Sequence, residues 1–240
     1  MSIEDTSRTP LHGAISNKDY ITAIRIIEEE IVDVNALDSK HNTAMVYFLR
    51  RIRNRKTVIS YIEIRTYIAF MNHSKIDFEI VSETGRSIRS YVIEMNMFEL
   101  YSILFSHHKW MYEDLFLSMR YNNKEVFQFL LDYFIHSKFP LDEFDDIDRT
   151  PFEVAIECDD IYYFEALCKV HAPLSRMAIF RIMMRKKQEH ITLIRQYYDG
   201  STNDEDLFAY ATVNVEDLDF DFNLDLEQVE PKQAVIELYE

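Results

Sequence analysis

The sequence predicts an all-α protein. It reads as a helical solenoid of about four to six stacked helix pairs over residues 1–200, followed by an acidic tail over 201–240. Three observations predict this. Glycine is scarce, at 3 in 240 residues, where average usage near 7% would give roughly 17. So little glycine leaves few tight turns with positive φ and no glycine-rich loop to cradle a phosphate. Next, Thr9-Pro10-Leu11-His12-Gly13-Ala14 has a counterpart late in the chain, Thr150-Pro151-Phe152-Glu153-Val154-Ala155. Between and after these motifs, apolar residues recur at helical spacing. An apolar share of 48%, with 14% aromatics, is enough to build a core over most of the length.

The elements follow in order. Thr9 suits an N-cap, and Pro10 the first helical turn, where no N–H is needed. Leu11 and Ala14 face the core. Asn17-Lys18-Asp19 is a polar break, and Ala23, Ile26 and Ile27 mark a second helix. Asp33-Val34-Asn35-Ala36-Leu37-Asp38 closes the unit. Thr43-Ala44-Met45 opens the next one, 34 residues after Thr9. Residues 49–81 exceed the remainder of one such unit, so we expect an insertion of about ten residues that lengthens both helices. It includes the basic run Leu49–Lys56 and an apolar stretch through Val58, Ile62 and Tyr67. A third unit places Gly85-Arg86-Ser87 at a turn and cap, with Val92, Ile93, Tyr101, Leu104 and Phe105 in the core. A fourth uses Ser118, Met119, Phe127, Leu130 and Leu131, with Asn122-Asn123 as its break and no recognisable turn before it. The fifth begins at Thr150, breaks at Asp159-Asp160 and continues through Phe164, Leu167 and Cys168. Ile182, Met183, Ile191 and Ile194 suggest a closing pair.

The motif Thr-Pro-Leu-His-x-Ala, the closing Asp-Val-Asn-Ala-x-Asp and a period near 33 resemble the ankyrin repeat. The resemblance covers about residues 5–200 and is carried best by 9–45 and 149–170. An irregular helical bundle is the alternative. Family glycine stands two residues before the capping Thr, where the turn needs a left-handed backbone. This chain has Ser7, His41, Gly85 and Asp148 there, and His and Asp tolerate that conformation better than most residues. The resemblance also gives His12 a local hydrogen bond to turn backbone. It further implies a module that binds a partner protein through turn tips and inner helices. Carried over residue by residue, the contact positions are Asp5, Arg8, Lys40, Asn42, Thr84, Arg86, Asp146 and Arg149. Divergent repeats rich in Ile, Tyr, Asn and Asp look similar to ankyrin proteins of large DNA viruses, intracellular bacteria and protozoa. That likeness implies a host-directed effector or inhibitor as one role.

No motif assembles an active site, and neither a cofactor nor a metal is expected. His107-His108 are adjacent on a helix and point about 100° apart, so they make poor joint ligands. Asp142, Glu143, Asp145, Asp146 and Asp148 lack the spacing of a calcium loop and read as a solvated turn tip. Cys158 and Cys168 form neither Cys-x-x-Cys nor a disulfide framework, which favours a reducing compartment and a packing role. With no signal-like start and no long apolar run, the expectation is a protein of the cytoplasm or nucleus without membrane insertion.

The formal charge is −16, and residues 201–240 hold 12 Asp/Glu against one Lys, a net −11. Overall acidity argues against nucleic acid as the partner. The run Arg50–Lys56 keeps a nucleic-acid-associated regulator as one alternative, and an enzyme with a site in the 49–81 insertion as another. A second basic group stands at Arg181, Arg185, Lys186 and Lys187. In the tail Val213, Val215, Leu218, Phe220, Phe222, Leu224 and Leu226 alternate with acids over much of 213–227. This pattern reads as a strand with one apolar face or as an acidic-hydrophobic interaction segment, with docking onto the repeats as the expectation.

Overall fold

A computed structural model of the chain describes residues 7–53, 58–107, 111–158, 160–185 and 187–198. Asp5, the second half of the basic run, His108, Lys186 and the whole tail 201–240 lie outside the described residues. So does the tail's expected docking.

Six helix pairs follow one another. They are α1 (Pro10–Ser16) with α2 (Tyr20–Glu28), α3 (Ala44–Arg53) with α4 (Tyr61–Asn72), and α5 (Ile88–Glu94) with α6 (Phe98–His107). Then come α7 (Met111–Arg120) with α8 (Lys124–Ser137), α9 (Pro151–Glu157) with α10 (Ile161–Lys169), and α11 (Arg176–Met184) with α12 (Gln188–Tyr197). No strand occurs among the described residues. First helices stack on first helices, from α1 through α3, α5, α7 and α9 to α11. Second helices form the other layer, α2 on α4 on α6 on α8, and α10 on α12.

Local chemistry starts most of the helices. Thr9 and His12, Ser60 and Glu63, and Thr150 and Glu153 form capping boxes, and Pro10 and Pro151 occupy the first helical turn. Asp19, Ser87, Asn123, Asp160 and Ser175 cap with their side chains. Each cap of this kind is worth about 1 kcal/mol. Left-handed residues stop the helices and turn the chain. Lys18, Asn96 and Asn122 do so between the helices of a pair, and Glu30, Lys138 and His171 beyond second helices. In the turns, His41, Gly85 and Asp148 have φ of 54°, 72° and 58°. All three stand where the sequence placed the left-handed residue. The glycine shortage is met by non-glycine residues accepting this conformation.

The core runs between the two layers. Adjacent pairs of residues near the end of the first five first helices are buried at one repeat position: Ala14-Ile15, Phe48-Leu49, Val92-Ile93, Ser118-Met119 and Ala155-Ile156. The second helices answer with Tyr67, Phe70, Tyr101, Phe127, Phe134 and Phe164. Two polar side chains in this core bond to backbone carbonyls: Tyr67 donates to Leu100 at 2.9 Å, and Asn123 Nδ2 to Ile93 at 2.9 Å. In the second pair α3 has 10 residues against 7 in α1, and α4 has 12 against 9 in α2.

Candidate interaction surface

Three turns precede first helices and share one construction. Their first and fifth residues bond across the turn, Asp38 N–H to Asn42 O at 3.1 Å, Ser82 to Arg86 at 2.9 Å and Asp145 to Arg149 at 2.9 Å. The fourth residue, the left-handed one, returns an N–H to the first carbonyl in each case. In two turns a carboxylate sits inside. Asp38 Oδ1 accepts the N–H groups of Lys40 and Asn42, and Asp145 Oδ1 those of Ile147 and Arg149. Tyr47, four residues past its cap, donates to Asp38 Oδ2 at 2.6 Å. Tyr91, at the same place in its unit, lies 3.0 Å from the Thr84 hydroxyl. The tips are thus tied to the helices beneath them.

Adjacent units are stitched by arginines. Arg8 donates to the Tyr47 hydroxyl at 2.8 Å and lies over its ring. Arg50 and Arg120 occupy one repeat position near the end of a first helix. Arg50 donates to Tyr91 at 2.9 Å. Arg120 bridges Asp145 at 2.6 Å and Asp146 at 2.8 Å. Burial works against the Asp145 charge, yet the bonds from Arg149, Ile147 and Arg120 hold its carboxyl down at about 2.

The structure sorts the residues singled out by the turn motif. Lys40, Thr84 and Asp146 are exposed on the tips, and Arg8 is exposed beside them. Arg86 is half-buried in a pair with Glu94 at 2.9 Å, and Arg149 is held by Asp145 and Glu157. Asn42 is a correction. It is fully buried, its amide donates to the Lys40 carbonyl at 3.0 Å, and its own carbonyl oxygen lies 3.0 Å from His12 Nε2. Asn42 therefore closes the turn and is not presented to a partner. The basic run is also partly consumed. Arg50 is engaged as above, Arg51 donates to the carbonyls of Ile15 and Ser16, and Arg53 pairs with Glu94 at 2.7 Å. In the insertion, the buried Glu63 serves its own capping box and accepts from Tyr20 at 3.2 Å.

The motif reading missed an apolar row. Leu37, Val81 and Phe144 each immediately precede the first residue of a turn, and they are 41%, 52% and 60% exposed. The signal was present in the sequence, since each stands six residues before the helix cap. It was hidden because single exposed apolar residues mean little until register aligns them.

Before the fourth unit only residues 108–110 separate α6, which ends at His107, from α7, which begins at Met111, too few for a turn of this five-residue construction. Leu117, at the repeat position of Tyr47 and Tyr91, consequently has no turn of its own above it and is half-buried. An open cleft of about 200 Å³ lies here, lined by Arg89, Glu113, Phe116, Leu117, Arg120 and Asp146 among others. Beneath it Asp114 is buried, accepting from Tyr101 at 2.8 Å, with Arg89 Nε at 3.5 Å. Burial pushes its carboxyl up to about 7, against the pull of Arg89 and Tyr101.

The architecture is that of known proteins. The chain superposes on the ankyrin repeat domain of Bcl-3, described as a unique member of the IkappaB protein family. The TM-score is 0.58 at 14% identity, covering 83% of this chain and 89% of that one. It superposes as well on EF0377, an ankyrin repeat protein, with a TM-score of 0.58 at 13% identity, covering 82% and 100%. This chain has the ankyrin-repeat fold. No protein-family model and no curated protein sequence matches it. Within the ankyrin stack, His12 has the place its motif implies, bonded to Thr9 and to the backbone of the next turn. Burial pushes the Cys168 thiol up to about 12 and raises Cys158 too, so neither is activated as a nucleophile. Among the described residues no group of three or more His, Cys, Asp or Glu could hold a metal ion, and no helix is long and apolar enough to cross a membrane.

Proposed function

We propose that this chain is a protein-binding module that engages a partner protein along its turn tips and the adjoining faces of its first helices. The carrying observation is the row Leu37, Val81 and Phe144, exposed at one repeat position beside turns that internal hydrogen bonds make rigid. Isolated apolar residues on a surface need no explanation, but a row in repeat register gives a partner aligned apolar points to cover. Preformed turns lower the ordering cost of such binding. The fold itself supports the reading by analogy alone.

Cross-linking tests it. A photoreactive side chain placed at Lys40, Thr84 or Asp146 should join a partner protein in cell extract. The same group at the exposed second-helix positions Asp132 and Lys169 should not. Equal labelling from both sides, or none from the tips, would overturn the proposal. Arg86 and Arg149 are poor positions for such a test, because their pairs with Glu94, Asp145 and Glu157 hold the scaffold together.

A further inference from the structure

We infer that the partner presents a segment rich in apolar and basic residues, and that this segment seats in the notch left by the missing fourth turn. The inference rests on the proposed binding function and names the chemistry of what is bound.

The shape comes first. The row of apolar tips is interrupted between Val81 and Phe144, because only residues 108–110 separate α6 from α7, fewer than the five of the other three turns. Leu117 is half-buried there. Phe116 and Leu117 form the apolar part of the cleft, and Phe144 and Ile147, which flank the lining residues Asp145 and Asp146 in sequence, stand exposed, Ile147 at 62%. In the second and third units a tyrosine fills the position of Leu117 and bonds to its own turn. Apolar side chains of a partner can therefore reach the helix floor at this unit.

The sign of the charge comes second. Glu113 and Asp146 line the cleft and are exposed, and Asp142, Glu143 and Asp148 are exposed on the segment that carries Asp146. The cations are deeper and already engaged: Arg89 by Glu79 and Asp114, Arg120 by Asp145 and Asp146, Arg149 by Asp145 and Glu157. What the surface offers a newcomer is negative potential beside exposed apolar area. Lysine and arginine match both, since their aliphatic stems cover apolar surface while the charged heads reach carboxylates. Residues 201–240, with 12 acids against one Lys, carry the wrong sign to be the occupant.

The test uses the full chain and fluorescein-labelled ten-residue peptides, read by fluorescence anisotropy. One alternates Leu and Lys, one Leu and Glu, and one Ser and Lys. The Leu/Lys peptide should bind most tightly. Two uncharged changes should weaken it at least fivefold: Phe144→Ser with Ile147→Ser, which removes the apolar wall, and Leu117→Tyr, which fills the floor. Neither alters net charge or the acidic tail, so general attraction of cations to this acidic chain would not produce that loss. Unchanged affinity in both variants, with melting temperatures like the parent's, overturns the inference, as does equal binding of the Leu/Glu peptide. The two proposals fail separately. A partner cross-linked at the tips through a neutral or acidic segment defeats this inference and leaves the binding function standing. No tip cross-link defeats the binding function itself.

Discussion

Lys138 ends α8 with φ of 56°, a left-handed cap built from a lysine. That conformation costs a side chain with no short polar group about 1–2 kcal/mol, and glycine avoids it while losing roughly 0.5–1 kcal/mol of chain entropy. Lys138→Gly should therefore raise stability by about 0.5–1 kcal/mol, and a lower urea midpoint for the variant would refute the cap reading. Asp114 makes a second prediction, in pH. Its folded carboxyl titrates near 7 and its unfolded one near the usual 3.9. Between those values the folded state holds the extra proton, so this group's contribution to stability falls as pH rises from about 4 to 7. Asp114→Asn should remove that fall. Urea midpoints of parent and variant, compared at several pH values, should converge or cross in the variant's favour as pH rises; a constant difference would show that Asp114 does not titrate there. The two residues differ in legibility. His41, Gly85 and Asp148 could be assigned from sequence because a helix cap two residues on fixes their place. Asp114 could not, because its environment comes from Tyr101 on α6 and Arg89 on α5. Asn42 was misjudged for a related reason: a turn motif gives position along the chain but not which side of the turn the next repeat covers.

Helices carry their own signals, and most were readable. Caps, breaks and the buried pairs at the ends of first helices depend on a few adjacent residues, so Thr9, Ser87 and Thr150 mark α1, α5 and α9 directly. The even burial of Ala155 and Ile156 against neighbouring first helices sets the next prediction. Ala155→Leu inserts volume where α9 meets α7 and α11 and should cost about 1–3 kcal/mol by overpacking; an unchanged denaturant midpoint would mean that the repeats are out of register. Gly13 gives the opposite case on α1. A Cβ there meets nothing within 4 Å, so Gly13→Ala should stabilise by about 0.5–1 kcal/mol through helix propensity, and a drop in melting temperature would count against it. Less readable was what a missing element exposes. The lack of a turn before the fourth unit was evident in sequence. Its consequence, an uncovered Leu117 between two acidic walls, needed the neighbouring helices in place.

At the scale of the whole stack, each unit touches only its neighbours, so stability is set joint by joint. The joint between the fourth and fifth units is unlike the rest. α7 lies against α9, but α8 and α10 meet chiefly at their first turns, through Lys124–Asp160 at 2.6 Å, Tyr162 to Gln128 at 3.1 Å and the Phe127–Tyr163 ring contact. Further along, α8 leaves Ile135 and Phe139 exposed. On the turn side Arg120 reaches from α7 into the next turn, holding Asp145 and Asp146 together. With its side chain one-third exposed, solvent screening limits this pair of bonds to about 1 kcal/mol. Removing it strands no charge, because Asp145 keeps the guanidinium of Arg149. Arg120→Ala should thus lower overall stability by only about 1 kcal/mol while uncoupling the two sides of the joint. Local opening should then become visible. Hydrogen exchange in moderate urea should show amides of residues 151–198 losing protection ahead of those in residues 7–107, with a smaller gap in the parent. Equal loss on both sides of the joint would mean that α7 and α9 suffice to couple the stack, and that Arg120 serves the turn alone.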